Sequence, residues 1–208
     1  MRQSSMAERK KPAGYGTAEY EEKRSRFIGE IFPVADETAA RGQIAAVKKK
    51  YPDARHHCWA WVLPDGACRW SDDGEPGGTA GAPMADILRG AGVYGVLCVV
   101  TRYFGGTLLG SGGLVRAYSK AASMALAAAG TEDDPEKAVA EIFCPWEELD
   151  RVHRLVREYG GALLDCDYES DPTRAILRAE LLAEKGEEFI KRLTEATAGK
   201  ASAKITEE

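Results

Sequence analysis

The pattern of apolar and polar positions in the first 130 residues predicts a domain of β-strands and α-helices. Short runs with alternating bulk, or rich in aromatic and β-branched residues, predict strands. Apolar residues three or four positions apart predict helices. The predicted strands cover residues 17–22, 26–34, 57–63, 67–71 and 93–103. The predicted helices cover residues 37–50, 83–89 and 114–129.

The rest of the chain has its own pattern, in the order βαββαβ, which is the split βαβ arrangement of ferredoxin-like domains. The acidic, proline-containing segment 131–136 is predicted to be a linker, and the charged residues 1–14 are predicted to be a flexible N-terminus. The sequence therefore predicts two domains, over residues 15–130 and 137–208. In the second, the predicted strands cover residues 138–143, 162–169, 173–182 and 201–206, and the helices cover residues 147–159 and 185–196.

Composition narrows the functional classes. The chain has 208 residues, 44% of them apolar, which is enough to build the cores of two small domains. Residues 1–130 hold 17 Lys and Arg against 13 Asp and Glu, whereas residues 131–208 hold 11 against 20. No apolar run approaches the roughly 20 residues that span a bilayer, and five dispersed cysteines favour free thiols. A cytoplasmic protein with no membrane partner is expected.

Residues 102–116, called the glycine loop below, combine five glycines with an arginine at each end. Ordered glycine loses much backbone entropy, so the cluster indicates tight turns or backbone lying close to another molecule. The loop enters a predicted helix, whose first N–H groups and dipole favour an anion. It matches neither the phosphate loop nor the dinucleotide fingerprint, so a phosphate site and a purely structural turn are both possible. The glycines are Gly105, Gly106, Gly110, Gly112 and Gly113.

Basic and aromatic side chains on or near the glycine loop have the chemistry needed to bind nucleic acid. Arginine and lysine can contact phosphates, and aromatic rings can stack on bases. The alternative is that the rings belong to the core and the arginines are ion-paired or simply exposed. The basic members of this set are Arg55, Arg102, Arg116 and Lys120, and the aromatic members are Tyr103, Phe104 and Tyr118.

Residues 72–81, called the acidic loop below, bring carboxylates close to two histidines in sequence. Such groups can bind a metal or transfer protons. Adjacent histidines in a strand, however, point to opposite faces of the sheet. An acidic loop held by Arg55 or Arg69 is therefore favoured. Together with the glycine loop it is expected to form the binding face, and no catalytic residue, metal or cofactor is predicted. The acidic-loop members are Asp72, Asp73, Glu75 and Thr79, and the histidines are His56 and His57.

Several ordered strings closely resemble the YigZ/IMPACT family in its two-domain bacterial form. They are KRSRFI at 23–28, PDARHHCWA at 52–60, SDDGEP at 71–76, GTAG at 78–81, RYFGG at 102–106 and LGSGGLVRAY at 109–118. The match covers about residues 15–130, which are identified as the IMPACT-type N-terminal domain. Two positions depart from the family pattern: Gly77 stands where serine is frequent, and Leu108 where lysine is frequent.

The resemblance implies an α+β protein with a ribosomal protein S5 domain 2-like first domain and a ferredoxin-like second domain. Both are similar to parts of elongation factor G, its domains IV and V. We therefore predict a non-catalytic, translation-associated regulator that binds RNA, the ribosome or a translation-linked protein, with no DNA sequence specificity. The alternative is a metal- or nucleotide-dependent, hydrolase-like enzyme that uses the histidines and the acidic loop, an analogy at the level of fold.

Overall fold

The computed structural model describes residues 9–168 and 173–206. The chain divides into two compact units, and the boundary falls after Asp134. Both units combine β-sheet with α-helices, which confirms the α+β class. Among the described residues, none of the helices combines the length and the apolar character that crossing a membrane requires.

The first unit is built on a five-stranded antiparallel sheet whose central strand is buried along almost its whole length. The strands of this unit are β1 (Lys10–Pro12), β2 (Gly16–Glu22), β3 (Ser25–Pro33), β4 (His56–Val62), β5 (Cys68–Ser71), β6 (Val96–Tyr103) and β7 (Thr131–Asp133). The sheet has the order β2-β3-β6-β4-β5. Because β6 lies between β3 and β4, its C-terminal end is close to the start of both strands. The glycine loop begins at this end of β6, and the acidic loop follows β5, which pairs with β4.

Helices cover both faces of this sheet. They are α1 (Glu37–Lys50), α2 (Gly81–Gly90) and α3 (Ser111–Ala129). Helices α2 and α3 pack on one face, over a core that includes Phe27 and Met84, and α1 packs on the other face over Trp61. Helix α3 lies very close to the sheet, because a Cβ at Gly29 would stand 2.7 Å from the carbonyl oxygen of Ala121.

The ends of the first unit differ from the prediction. Strand β1 belongs to the predicted flexible N-terminus and β7 to the predicted linker, yet the two pair with each other in antiparallel register. Two ion pairs, Arg9–Asp134 and Lys11–Glu132, reinforce the ribbon. The prediction was wrong for these residues because their partner strand is far away in sequence, so neither segment shows a local strand pattern.

The second unit has the predicted element order, with a four-stranded antiparallel sheet and two helices. Its strands are β8 (Lys137–Pro145), β9 (Ala162–Asp167), β10 (Arg174–Leu182) and β11 (Ser202–Thr206), and its helices are α4 (Leu149–Glu158) and α5 (Gly186–Ala196). The strand order is β11-β8-β10-β9, and one apolar core joins the sheet to both helices. The predicted strand 162–169 ends at Asp167, and its last residue lies outside the described residues.

Candidate functional site

The acidic loop and the glycine loop are joined by a buried ion pair. Arg102 Nη1 lies 2.6 Å from Glu75 Oε1, and the two side chains are only 7% and 4% exposed. The Tyr118 hydroxyl donates a hydrogen bond of 2.8 Å to the same carboxylate oxygen. Arg102 and Tyr118 were predicted to contact a ligand at the surface. The structure corrects this, because both side chains are buried and both contact Glu75 within the protein.

Cys58 completes this buried network. Its Sγ lies 3.3 Å from the Tyr118 hydroxyl oxygen and 3.0 Å from the carbonyl oxygen of Asp72. Burial raises the pKa of the Cys58 thiol to about 12. A thiol with so high a pKa is protonated at neutral pH, so Cys58 has no thiolate for nucleophilic chemistry.

Asp72 organises the acidic loop from inside. Its carboxylate accepts hydrogen bonds from the backbone amides of Gly78, Ala80 and Gly81, at 2.8, 3.0 and 2.8 Å. The last two amides belong to the start of α2, so Asp72 caps this helix from a position eight residues before its N-cap residue. This carboxylate therefore has a structural role and its oxygens are already engaged.

Asp73 links the acidic loop to its basic neighbours. One carboxylate oxygen accepts from the backbone amide of His57 at 2.7 Å, and the other accepts from Lys48 Nζ at 2.9 Å. Burial alone would raise the pKa of Asp73, but the hydrogen bonds from Lys48 and from the His57 amide outweigh burial and lower it. A basic side chain does hold Asp73, but it is Lys48 of α1 and not the predicted Arg55 or Arg69; Arg69 pairs with Glu37 instead.

His57 Nδ1 lies 3.8 Å from Asp73 Oδ2, but the other ring contacts of the histidines are with backbone carbonyl oxygens. The ring nitrogen Nδ1 of His56 is 2.9 Å from the carbonyl oxygen of Asp73, and Nε2 of His57 is 3.0 Å from that of Tyr51. Thr79 is buried and donates its hydroxyl to the carbonyl of Pro76 at 2.7 Å. Within residues 9–168 and 173–206, no group of three or more His, Cys, Asp and Glu side chains is placed to hold a metal ion.

The glycines of the glycine loop have different roles. Gly105 lies against the turn between β2 and β3, where a Cβ would overlap the backbone of Arg24 and Ser25. Its amide donates to the Ser25 hydroxyl at 3.1 Å. Gly106 and Gly110 have φ of 85° and 72°, values that favour glycine. These three glycines are explained by the fold alone.

Gly112 and Gly113 lie in the first turn of α3, where neither has a positive φ. No hydrogen-bond acceptor within the described residues is assigned to the amides of Ser111, Gly112 and Gly113, and the N-cap residue Gly110 has no side chain to supply one. We call these three amides the open helix end. The N-terminus of α1, in contrast, is capped by the Asp36 carboxylate at 2.7 Å.

Three exposed basic residues, one from α3 and two from the β2–β3 turn, lie on or next to the glycine loop. Arg116 follows one turn later, and its Nη1 would stand 3.6 Å from a Cβ at Gly112. Lys23 and Arg24 form the two-residue turn between β2 and β3, and Lys23 lines a small cleft of about 130 Å³ together with Gly113 and Arg116. We call Lys23, Arg24 and Arg116 the basic cluster.

Lys23 and Arg24 were missed as site residues. Both have positive φ, 48° and 65°, in a turn whose preferred residues are Asn and Gly. Two basic residues in a two-residue turn between strands could have identified them from the sequence. Their proximity to the glycine loop could not, since it depends on the contact between Gly105 and Arg24.

The remaining predicted residues are Tyr103 and Arg55. Tyr103 follows Arg102 in β6, so strand alternation places it on the opposite face of the sheet, where its hydroxyl donates to Asp53 at 2.8 Å. Arg55 is exposed just before β4. The structure thus brings together Arg116 and the open helix end, and it separates Tyr103 from them.

Comparison with known proteins gives a consistent set of similarities. A family model described as the Impact N-terminal domain matches residues 23–126. The IMPACT family member YigZ of Escherichia coli is 38% identical over 192 residues, which cover 90% of this chain and 93% of that protein. The IMPACT family member YvyE of Bacillus subtilis is 34% identical over 185 residues, which cover 87% and 83%. A crystal structure of a hypothetical protein has a TM-score of 0.66 at 37% identity and covers 96% of this chain and 97% of its own.

Proposed function

The chain belongs to the IMPACT family, and we propose that it is a non-catalytic, translation-associated protein that binds RNA or the ribosome. The observation that supports this proposal is the open helix end beside the basic cluster. Unpaired amides at the start of a helix attract an anion, because N–H groups and the positive end of the helix dipole act together. The proposal places the phosphates of the nucleic acid there.

The positive charges of the basic cluster suit a polyanionic partner. The basic cluster is exposed, and no carboxylate among the described residues forms an ion pair with any of its three side chains. Glu22 lines the same cleft, where it accepts a hydrogen bond from Tyr20 at 2.8 Å. Arg24 donates a hydrogen bond of 3.3 Å to the Thr107 hydroxyl of the glycine loop. Three cations without a carboxylate partner and three open amides suit a run of phosphates.

The hydrolase-like alternative has less support. It would need the acidic loop and the histidines to be free, but Asp72 is held by three backbone amides and Glu75 by Arg102. Substrate could reach neither carboxylate without breaking these contacts. We therefore favour binding over catalysis.

We also propose the finer fold assignments that the family resemblance implies, a ribosomal protein S5 domain 2-like first unit and a ferredoxin-like second unit. Their likeness to domains IV and V of elongation factor G supports a role at the ribosome. The sheet order β11-β8-β10-β9 and the βαββαβ order are compatible with the second assignment.

Salt-dependent binding of the full chain to labelled RNA tests the proposal. We expect the logarithm of the association constant to fall linearly with the logarithm of salt concentration, by about 0.7 for each phosphate neutralised on a single strand. Arg116→Ala should weaken binding to every RNA sequence and reduce this slope by about one contact. Fluorescence anisotropy across a potassium chloride series measures both.

Arg89→Ala is the matched control, because Arg89 is an exposed arginine in the last turn of α2 and its loss changes net charge equally. It should leave the slope unchanged. Equal effects of the two substitutions would mean that net charge alone drives binding. Absence of any salt-dependent binding to RNA or ribosomes would contradict the proposal.

A further inference from the structure

Phe104 is a half-exposed aromatic ring close to the β2–β3 turn, which supplies two residues of the basic cluster. It follows β6, and its side chain is 50% exposed. The next residue, Gly105, lies against the backbone of Arg24, so the ring is one residue away from the β2–β3 turn. An exposed phenylalanine costs hydrophobic free energy, and here it adjoins cations rather than an apolar surface.

Arg102 holds the Phe104 ring in place on one of its faces. The guanidinium carbon of Arg102 lies 5.6 Å from the centre of the Phe104 ring and 5.5 Å from that of the buried Phe27 ring. Arg102 is itself fixed by its buried ion pair with Glu75. One side of Phe104 therefore contacts an immobilised cation, which leaves the other side for solvent or a ligand.

We propose that Phe104 is a stacking platform for one base of a single-stranded RNA, so that the site prefers single strands to duplex. This inference rests on the proposed function, since the basic cluster and the open helix end would hold the neighbouring phosphates. A base in a duplex is already stacked on both sides and paired, so its flat face cannot lie on Phe104. A base in a single strand can, and the fixed ring loses little conformational entropy when it binds.

The surroundings favour a nucleic acid over an apolar protein segment as the occupant. A base presents a flat face together with a phosphate about one nucleotide away. Phe104 is followed by Gly105, which lies against the backbone of Arg24, so an aromatic ring and a basic turn are close in this part of the chain. Leu108, 81% exposed, is the large apolar side chain nearest in sequence, and the polar loop residue Thr107 intervenes. A protein partner would need more continuous apolar area.

Anisotropy measurements with a short labelled oligouridine and with a duplex RNA of equal length test the inference on the full chain. Phe104→Ala should weaken single-strand binding by at least about five-fold, the lower limit for loss of one stacked base. The salt slope should not change, because no cation is removed. Duplex binding should also be unaffected.

Two further variants keep the result interpretable. Phe104→Leu retains apolar area without an aromatic face and should behave like Phe104→Ala, whereas Phe104→Tyr should retain wild-type affinity. Trp70→Ala removes an equally exposed aromatic side chain, 47%, from the edge strand β5 and should have no effect. Thermal unfolding of each variant confirms that it is folded before binding is compared.

The outcomes separate this inference from the proposed function. Salt-dependent binding with equal affinity for single strand and duplex, or unchanged single-strand affinity in Phe104→Ala and Phe104→Leu, would overturn the stacking platform. The proposed phosphate contacts would then still stand. If neither RNA binds in a salt-dependent way, both fail together.

Discussion

The acidic loop and the glycine loop both lead into a helix, but they treat its first turn differently. At α2, the Asp72 carboxylate accepts from two amides of the helix start and one of the loop. At α3, the N-cap residue is Gly110 and the three amides of the open helix end have no acceptor among the described residues. The comparison shows that a helix N-terminus becomes available to a ligand only where the chain supplies no acceptor of its own.

The two arginines of the glycine loop differ in the same way. Arg102 is buried and neutralised by Glu75, whereas Arg116 is exposed one turn into α3. The first arginine stabilises the loop and the second is free to contact an external anion. Two arginines at the two ends of one loop therefore have different roles.

The largest effect is expected from the buried arginine. Arg102→Ala leaves the Glu75 carboxylate buried without its counter-ion, and breaking a buried pair in this way costs about 3–5 kcal/mol. Arg116→Ala should change the free energy of unfolding by less than about 0.5 kcal/mol while it weakens RNA binding. Urea unfolding of both variants measures the contrast, and similar stability losses would show that the two arginines are not separated as described.

A pair of glycine substitutions sharpens the comparison within one loop. Gly105→Ala should destabilise the first unit by about 3 kcal/mol, because its Cβ would overlap the Arg24 backbone and force the β2–β3 turn to move. Gly112→Ala meets only the end of Arg116 at 3.6 Å and should stabilise α3 by about 0.5–1 kcal/mol. Thermal or urea unfolding tests both, and a destabilising Gly112→Ala would be the unexpected result.

Substitution of Asp72, which caps α2, tests the other helix of the comparison. Asp72→Ala deprives three amides of their acceptor, and we expect a loss of about 2 kcal/mol in the free energy of unfolding. Asp72→Asn keeps one acceptor oxygen and should lose less. RNA affinity should be unchanged in both variants, because the acidic loop does not belong to the basic cluster; a parallel loss of affinity would argue that it does.

Replacement of Lys23-Arg24 by Asn-Gly should move stability and binding in opposite directions. Both residues have positive φ, so Asn-Gly should stabilise the turn by about 1–2 kcal/mol. The substitution removes two cations and should reduce the RNA salt slope by about 1.4. Unfolding and anisotropy on the same sample check this, and unchanged affinity would exclude the turn from the binding site.

The smallest expected effect is a dependence of the free energy of unfolding on pH in the acidic range. The pKa of Asp73 in the folded protein lies below its ordinary value of 3.8, so its contacts stabilise the protein at neutral pH. This contribution begins to be lost below about pH 4 and disappears as pH falls through the lowered pKa. Lys48→Met removes one of the interactions that lower the pKa of Asp73. The variant should therefore lose less stability than the wild-type protein between pH 5 and pH 2, roughly the range over which carboxyl groups titrate. Urea unfolding at a series of pH values measures the difference.

Local patterns predicted the helices and strands well, because periodicity and caps act over a few residues. Helix α1 has the predicted bounds, and the Asp36 carboxylate, next to it in sequence, caps it. The sequence could not identify Asp72 as the cap of α2, since the loop between them must fold back first. It predicted the strand that contains Arg102, but not that Glu75 would form an ion pair with this arginine. Long-range contacts of this kind have no periodic signature.

The same limit applies to the candidate site. The five glycines and Arg116 are visible in the sequence, so the approximate location of the open helix end was predictable. The presence of Lys23 and Arg24 beside it depends on the pairing of β3 with β6, which brings the start of one strand to the end of the other. The roles of the individual glycines likewise depend on which backbone lies next to each.

The pairing of β1 with β7 has a consequence for the order in which the chain folds during synthesis. Lys10 is partnered by Asp133, so the first strand leaves the ribosome roughly 120 residues before its partner, which is a delay on the order of ten seconds at usual elongation rates. Throughout that interval the nascent chain can complete its central sheet but cannot close this ribbon. A chain released before β7 is translated would therefore expose a strand without its mate, a feature that quality-control factors can recognise.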